Sequence, residues 1–246
     1  MHRLLVASRV PGAQGDRVGI LEADGVAGRI CIAAEQPVPS RAHGLQVLPG
    51  GDFVAVANRL GRWLLRADAQ GRVQARHAID TERPARSFNG HVQPSADGRW
   101  LYTTETDPAD GSGRISVRDA HTLARMAQFR SAGIDPHQVL PAADGCLMVA
   151  NGGIPRDAAG RKIDSDRMAP SLVRLDPADG AVLWRWTLTD PRLSIRHLAC
   201  GRVHPRCPRR AGNRPGCCGA ARARSRAARG RTRSPRSAVP CRGRRW

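Results

Sequence analysis

Four histidines lie at the start of four similar stretches of this sequence. They are His43, His91, His137 and His197, separated by steps of 48, 46 and 60 residues. Neutral imidazole is the commonest metal ligand in proteins, and it suits iron, copper, nickel and zinc. If the four stretches fold alike, the imidazoles occupy equivalent positions and converge on one point. The spacing therefore predicts a transition-metal site, with iron, copper or zinc as the candidate ions.

Other polar side chains near these stretches are candidates for the same site. Glu105 and Asn151 each follow an apolar run and offer oxygen ligands, although their position in the run places them further from the centre. Arg59, Arg86 and Arg196 are candidates for clamping an anionic ligand such as a carboxylate or a metal chelate. The alternative for the arginines is a solvated charge or an ordinary ion pair.

The four stretches belong to a repeat, which indicates the elements that must position the histidines. After each histidine comes a Gly/Asp turn, at residues 50–51, 97–98 and 144–145, followed by three further apolar or alternating runs. Short runs separated by Gly, Asp and Asn predict antiparallel strands joined by hairpins. Four strands in a repeat of about 40–50 residues are typical of a β-propeller blade.

The same pattern divides residues 1–199 into blades. Residues 4–35 predict three strands of one blade, three full blades begin near residues 43, 91 and 137, and LSIRHLA at 193–199 predicts the first strand of another. We therefore expect an all-β fold, a partial propeller of about four blades. The first strand of each blade lines the channel of a propeller, so this strand carries its histidine to the channel mouth.

A structural role for the histidines is the main alternative to metal binding. In WD40-type repeats, a Gly-His pair before the first strand forms a hydrogen bond with a turn aspartate of the blade. Gly90 and His91 fit that pattern, and Asp68, Asp119 and Asp176 are available turn aspartates. The sequence leaves both interpretations open.

Residues 200–246 differ in composition from the rest of the chain. The formal net charge is +19, but residues 201–246 contain 15 Arg and neither Asp nor Glu, which leaves 25 basic and 21 acidic residues in the body. This segment also lacks Leu, Ile, Met, Phe and Tyr, so it has too little apolar surface to offset the entropy of folding. We expect a disordered, Arg-rich tail, translated out of frame from a GC-rich gene. The alternative is a basic tail that binds nucleic-acid phosphates.

The body excludes two classes of function. Its small net charge gives no reason to expect specific nucleic-acid binding. No apolar run approaches 18 residues, so no membrane span is expected. Neither a Ser-His-Asp spacing nor a nucleophile elbow is present in the body, which gives little support to hydrolysis by that route.

The sequence resembles the domain of unknown function 1513 family, which comprises bacterial periplasmic β-propellers of the WD40 and lactonase-like type. The resemblance is carried by GIDPHQVL (133–140), LMVANGGI (147–154), RMAPSLVRLD (167–176) and LSIRHLA (193–199), and it covers nearly all of residues 1–199. It implies a seven-bladed propeller, of which this chain would hold about four blades. It implies no catalytic residues.

The resemblance also implies a cellular setting. Relatives carry an export signal and act in the periplasm, and their genes lie beside those of imelysin-like and di-haem peroxidase-like proteins in iron-uptake clusters, which makes these the expected partners. The present sequence departs from the family in several places, of which two bear on its location and its ligands. It shows no export signal as written, so we expect a cytoplasmic or undetermined location, and Ile154-Pro155-Arg156 replaces a Thr-His-Pro stretch.

Two functions from different classes follow from these observations. The preferred one is a binding or scaffold propeller that handles a metal ion in an iron-uptake system. The alternative is a lactonase-like enzyme in which the metal activates water. A truncated, non-functional fragment is a third interpretation. Because no acid/base pair stands out in the body, the sequence favours binding over catalysis.

Overall fold

The described chain consists of antiparallel strands joined by tight turns. The structure, a computed structural model, describes residues 1–10, 15–157 and 159–200, and residues Met1–Ala199 form one compact unit. Its strands are β1 (His2–Val10), β2 (Gly15–Asp24), β3 (Arg29–Val38), β4 (Ala42–Val47), β5 (Phe53–Ala57), β6 (Trp63–Ala67), β7 (Val73–Ala78), β8 (Ser87–Pro94), β9 (Trp100–Thr106), β10 (Ser112–Asp119), β11 (Arg125–Ile134), β12 (Pro136–Pro141), β13 (Leu147–Asn151), β14 (Ser171–Leu175) and β15 (Val182–Thr187). Three short 3₁₀ turns, at Pro49–Gly51, Ile79–Thr81 and Ser165–Arg167, are the helical elements of this part of the chain.

The strands form sheets in which each strand pairs with its neighbour along the chain. One sheet has three strands in the order β1-β2-β3, and three sheets have four strands each: β4-β5-β6-β7, β8-β9-β10-β11 and β12-β13-β14-β15. All pairs are antiparallel. The predicted all-β fold with four-stranded blades is confirmed. A three-stranded sheet comes first in the chain, and three four-stranded sheets follow it.

Aspartates close the turns between the third and fourth strands of the blades. The Oδ1 atoms of Asp68, Asp119 and Asp176 each accept a hydrogen bond from the backbone N–H two residues further on, at 2.9, 3.0 and 2.9 Å. These are Asx turns, which explain why aspartate recurs at this position. These carboxylates lie at the turns and not against the repeated histidines. Among the described residues, these carboxylates therefore give no support to the alternative in which the histidines bond to turn aspartates.

The hydrophobic core lies between neighbouring sheets. One cluster joins Val18 and Ile20 of β2 to strands β5 and β6, a second joins Val54 and Leu64 to β8 and β9, and a third joins β9 and β10 to β13 and β14. Strand β5 is buried along its whole length, because a sheet lies against each of its faces. Each sheet is thus held to the next by apolar side chains, as face-to-face sheet packing requires.

The prediction for residues 193–199 needs a correction. The segment LSIRHLA forms no strand in the structure. A strand exists only where a neighbour pairs with its backbone, and no strand among the described residues pairs with the backbone of this segment. Residues 201–246, the predicted disordered tail, lie outside the described residues. Across the described ranges, no helix is long and apolar enough to span a membrane.

Candidate metal centre

The first strands of the three complete blades lie side by side, and each carries one of the predicted histidines. Strand β8 contacts both β4 and β12. In each strand, the pairing with the second strand of the blade shifts at the histidine: between residues 42 and 44 in β4, 88 and 92 in β8, and 136 and 138 in β12. A β-bulge frees a residue from the regular alternation of the ladder and turns its side chain in a new direction. The pairing is therefore interrupted in all three strands at a stretch that includes the histidine, and in β8 the interruption extends over residues 89–91.

Close packing of the strands brings the bulges together. A Cβ atom added to Gly44 would lie 2.6 Å from the carbonyl oxygen of Gly90, so glycine at position 44 allows β4 to approach the backbone of β8. Gly90 itself has φ of +98°, a conformation that side chains disfavour. The side chain of Asn89 donates a hydrogen bond to the carbonyl oxygen of Pro136 at 2.9 Å, which ties β8 to β12.

The four predicted histidines form one cluster. Their ligand nitrogens all lie within 4.8 Å of one another. The Nε2 atoms of His43 and His91 are 3.2 Å apart, and those of His137 and His197 are 3.3 Å apart. The structure thus brings together the whole set proposed from the spacing, and each close pair joins two different segments of the repeat. His137 is buried, His91 is partly buried, and His43 and His197 are exposed.

His197 reaches the cluster without the predicted strand. The backbone N–H of Leu198 donates to the side-chain oxygen of Gln138 at 2.6 Å, and the hydroxyl of Ser194 donates to the carbonyl oxygen of Gly152 at 2.8 Å. These two bonds hold residues 194–198 against β12 and the turn after β13. These two bonds, one from the backbone and one from a side chain of the segment, position His197, whereas a strand ladder positions the other three histidines.

Two of the nitrogen–nitrogen distances match the dimensions of a four-nitrogen metal site. Four nitrogens about 2.0–2.1 Å from a tetrahedral ion lie about 3.3 Å from one another. The pairs His43–His91 and His137–His197 already have this separation. The most distant rings are those of His43 and His197, with centroids 6.4 Å apart. Both of these rings are exposed, so rotation of their side chains can close the set around one ion.

Burial and neighbouring positive charge favour the neutral form of three of the imidazoles, those of His43, His91 and His137. Burial is the main cause that lowers the pKa of His91 to about 3 and that of His137 to about 2. Burial also lowers the pKa of His43. The charge of Arg59 lowers all three pKa values further, and Arg196 adds to the effect on His43 and His137. Neutral imidazole is the form that ligates metals, so protons compete little with an ion for these nitrogens.

Two of the three predicted arginines lie beside the cluster. Nη2 of Arg59 is 3.3 Å and Nη1 of Arg196 is 3.5 Å from Nδ1 of His137. Arg59 also forms an ion pair with Asp135, a carboxylate that is almost fully buried. The third arginine, Arg86, is elsewhere: it pairs with Asp107 at 3.2 Å and donates to Gln128. Arg86 is therefore excluded from the histidine cluster and lines a separate cavity of about 350 Å³.

Glu105 is wrong as a predicted metal ligand. It is fully buried inside its own blade, where Arg118 Nη2 lies 2.8 Å from its Oε1. Thr103 and Ser116 donate hydroxyl hydrogen bonds to it, each at 2.7 Å. Strand alternation places this side chain between the sheets and not at the bulges. Its oxygens are consequently committed to neighbours and face no histidine.

Asn151 is also outside the cluster. Its side-chain amide donates to the carbonyl oxygen of Ser131 at 3.0 Å and to the hydroxyl of Ser171 at 3.2 Å. It therefore links the third and fourth sheets. Like Glu105, it belongs to the second strand of a blade, and the first strands are the ones that meet at the cluster.

Two charged residues of the site, Asp135 and Arg156, were not predicted from the sequence. Asp135 pairs with Arg59 and also with Arg156, whose Nε lies 3.0 Å from its Oδ1. Asp135 directly precedes the strand that carries His137, and its φ of +55° bends the chain there. The Asp-Pro-His order was visible in the sequence. Nothing in it indicated that arginines 76 residues before and 21 residues after would meet this aspartate.

Comparison with known proteins agrees with this architecture. Residues 36–210 match the model of a family described as Protein of unknown function (DUF1513). Among solved structures, the Dos1 propeller is similar, with a TM-score of 0.51 and 12% identity over 82% of this chain and 47% of that chain. BamB from Moraxella catarrhalis is also similar, with a TM-score of 0.44 and 15% identity over 75% of this chain and 50% of that one. The chain thus spans about half the length of each of these structures. No curated protein matches it.

Proposed function

The chain belongs to the family described as Protein of unknown function (DUF1513), and we propose that this β-propeller chain binds one transition-metal ion through His43, His91, His137 and His197. One observation carries the proposal. The three complete blades each interrupt their first strand at the histidine, and the four imidazole nitrogens meet within 4.8 Å. A bulge leaves a residue unpaired in the ladder, so its recurrence at one side-chain type favours a shared role for that side chain.

The contacts of the histidines support binding over a structural role. A structural histidine would form its hydrogen bond within its own blade, but here His43 meets His91 and His137 meets His197, across segment boundaries. Imidazole ligands suit zinc, copper and iron. Four protein nitrogens fill the positions of a tetrahedral ion, whereas a catalytic ion keeps one position for water. The donor set therefore favours holding an ion over activating water.

The cellular setting is part of the same proposal. The resemblance noted in the sequence supports handling of the ion in the periplasm, in an iron-uptake system with imelysin-like and di-haem peroxidase-like partners. Affinity purification with this chain as bait, with and without added metal, tests the partners. Recovery of either partner class only with the metal-loaded chain is the expected result, and recovery of neither contradicts this part of the proposal.

Metal titration tests the site itself. Protein treated with a chelator is titrated with Zn²⁺, Cu²⁺, Fe²⁺ and Co²⁺ and followed by calorimetry, with Co²⁺ serving also as a visible-absorption probe of tetrahedral nitrogen ligation. We expect one ion per chain and, at 100 times the Kd, a stabilisation of about 2.7 kcal/mol against unfolding. The substitutions His91→Ala and His137→Ala should each weaken binding at least tenfold.

The matched control is His121→Ala. This histidine is exposed and lies outside the cluster, where it contacts Arg66. Metal binding should be unchanged in this variant. His43→Ala, at an exposed member of the cluster, provides a cluster variant with less risk to folding. The proposal is overturned if no metal binds, or if His43→Ala and His121→Ala bind it with the affinity of the unaltered chain.

A further inference from the structure

A cavity of about 450 Å³ lies beside the histidine cluster. His43, His137 and His197 form part of its wall, and the guanidinium-bearing side chains of Arg59, Arg156 and Arg196 form another part. Asn58, Asn89 and the loop at Ala159–Gly160 contribute polar and backbone groups. None of the described residues that line it carries a carboxylate. The neighbouring cavity of about 350 Å³ is different, because aspartates and arginines both line it.

The positive charge at this cavity is only partly compensated. Arg59 and Arg156 share one carboxylate, that of Asp135. Arg196 pairs with no carboxylate in the part of the chain that the structure describes. Three guanidinium groups therefore line one cavity and have a single carboxylate between them. A metal ion bound by four neutral imidazoles would add two further positive charges to this region.

The ring of His137 connects the cavity to the cluster. Its Nε2 faces His197, and its Nδ1 faces the guanidinium groups of Arg59 and Arg196 at 3.3 and 3.5 Å. A guanidinium only donates hydrogen bonds, so in this arrangement Nδ1 is the acceptor and the proton is on Nε2. When a neutral imidazole binds metal through Nε2, its proton is on Nδ1. The N–H groups of Arg59, of Arg196 and of Nδ1 of His137 would then face one another, with no hydrogen-bond acceptor between them.

We propose that an oxyanion, a carboxylate or a phosphate, binds in this cavity between Arg59, Arg196 and Nδ1 of His137. The inference rests on the proposed metal site in one respect, because metal binding places the proton on Nδ1. The guanidinium charges attract an anion in both the metal-free and the metal-bound chain. Metal-bound histidines commonly donate their second N–H to a carboxylate or another oxygen acceptor, and the bound anion supplies that acceptor. Carboxylate and phosphate each present adjacent oxygens that match the two N–H groups of a guanidinium. Arg156 adds the third positive charge.

Binding of the two ions is therefore cooperative. The anion neutralises positive charge that opposes binding of the metal. The metal places a proton on Nδ1 of His137, and this N–H donates a hydrogen bond to the anion. Coupling between two ligands is reciprocal, and its usual size corresponds to about 5–150-fold in affinity. We expect the oxyanion to tighten Zn²⁺ binding at least fivefold, and Zn²⁺ to tighten the oxyanion by the same factor.

Calorimetry with malonate and with inorganic phosphate tests the inference, on the metal-free and on the Zn²⁺-loaded chain, at constant ionic strength set with chloride. The two anions distinguish carboxylate from phosphate as the preferred class. Arg196→Ala should weaken binding of the preferred anion at least tenfold and should retain one Zn²⁺ per chain, which also reports that the variant is folded. Arg192→Ala is the matched control. It removes the same charge four residues away, where the arginine is exposed and pairs with Asp190 at 2.9 Å.

The outcomes separate this inference from the proposed metal site. If neither anion binds the Zn²⁺-loaded chain, or if Arg196→Ala and Arg192→Ala behave alike, the anion site is wrong and the metal site stands. If no metal binds but the metal-free chain binds an anion that Arg196→Ala loses, the metal proposal fails and the anion site stands. If both ions bind but neither changes the affinity for the other, the role of His137 Nδ1 is refuted.

Discussion

Arg118 offers a sharp test of how the blades are held together. Its side chain is fully buried, and it joins two carboxylates: Nη2 lies 2.8 Å from Glu105, and Nη1 lies 2.7 Å from Glu82. Replacing it with methionine, Arg118→Met, keeps an unbranched apolar stem but removes the charge. Glu82 retains Arg125, 2.9 Å away, whereas Glu105 keeps no ion-pair partner among the described residues. Removing one partner of a buried pair costs about 3–5 kcal/mol, so we predict a loss of that size in the free energy of unfolding.

Urea unfolding measures this loss. With an m-value of about 2–3 kcal/mol per molar urea, the midpoint should fall by roughly 1–2.5 M. The double variant Arg118→Met/Glu105→Gln removes the uncompensated charge as well, so it should be more stable than the sum of the single effects predicts. Groups within one ion-pair network show coupling of about 0.5–3 kcal/mol.

Arg192→Met is the control for the loss of an arginine. Its side chain is 83% exposed, and surface ion pairs contribute about 0–1 kcal/mol, so its unfolding midpoint should stay close to that of the unaltered chain. An Arg118→Met variant that loses less than about 1 kcal/mol would refute the reasoning, as that value is typical of surface sites. Strict additivity in the double variant would show that the Arg118–Glu105 contact is not the source of the effect.

Two further perturbations probe acid stability and strand packing. Burial opposes the ionisation of Glu82, but hydrogen bonds from His77 and Arg118 outweigh it and lower the pKa of this carboxyl from 4.5 to about 2. The ionised form of Glu82 therefore stabilises the fold above pH 4.5, and this effect is lost as the pH falls towards 2. In urea unfolding, the difference in stability between the unaltered chain and Glu82→Gln should shrink over that interval. A constant difference would contradict the assignment. Gly44→Ala places a Cβ 2.6 Å from the backbone oxygen of Gly90, so it should lower the free energy of unfolding by about 1–3 kcal/mol and weaken Zn²⁺ binding. The control is Gly25→Ala, whose Cβ meets nothing within 4 Å and which should change neither property. Equal behaviour of the two glycine variants in melting and titration would show that β4 and β8 are not in close contact.

The strands could be predicted because their signals are local. The turns at Gly50-Gly51, Asp97-Gly98 and Asp144-Gly145 and the runs between them repeat in order, and each strand pairs with its neighbour along the chain. Hairpin pairing needs no long-range information. The exception is the segment 193–199, which has the composition of a first strand but forms none, because composition cannot supply the neighbouring strand that its backbone needs.

The candidate site could be predicted only in part. Their equivalent positions in the repeat predicted that the four histidines converge, and the structure brings them together. The assignment of Glu105 as a metal ligand failed because its carboxylate pairs with Arg118 of its own blade. Arg118 lies thirteen residues away on the next strand, and the local sequence around Glu105 does not indicate this pairing. Asp135 and Arg156 were missed for the same reason, since their pairing joins loops that are distant in sequence.

The bulges explain why the histidines, unlike the other side chains of the first strands, reach a common point. In a regular ladder, residues alternate between the two faces of a blade, and apolar layers cover both faces of the two middle sheets and one face of the sheet β12-β13-β14-β15. An imidazole on either face would pack into the apolar layers between sheets, as Val54 and Val92 do. The interruption at each histidine removes it from both layers. Glycine lies after His43 but before His91, and proline precedes His137, so three different local sequences each interrupt the pairing at the histidine.

That convergence bears on what the cluster does for the fold itself. Each histidine contacts a partner from another segment of the repeat, and burial lowers the pKa of His91 and His137 to about 3 and 2. The cluster therefore gains little from ion pairing and leaves four nitrogen atoms facing one another. An ion bound there would join β4, β8, β12 and the segment at 194–198 at a single point, where the apolar layers between the sheets do not reach. Metal binding should consequently stabilise the contacts between blades more than the hairpins within them. Hydrogen exchange can separate the two, because amides at the inner strands β4, β8 and β12 should gain more protection with Zn²⁺ than those of the outer strand β7.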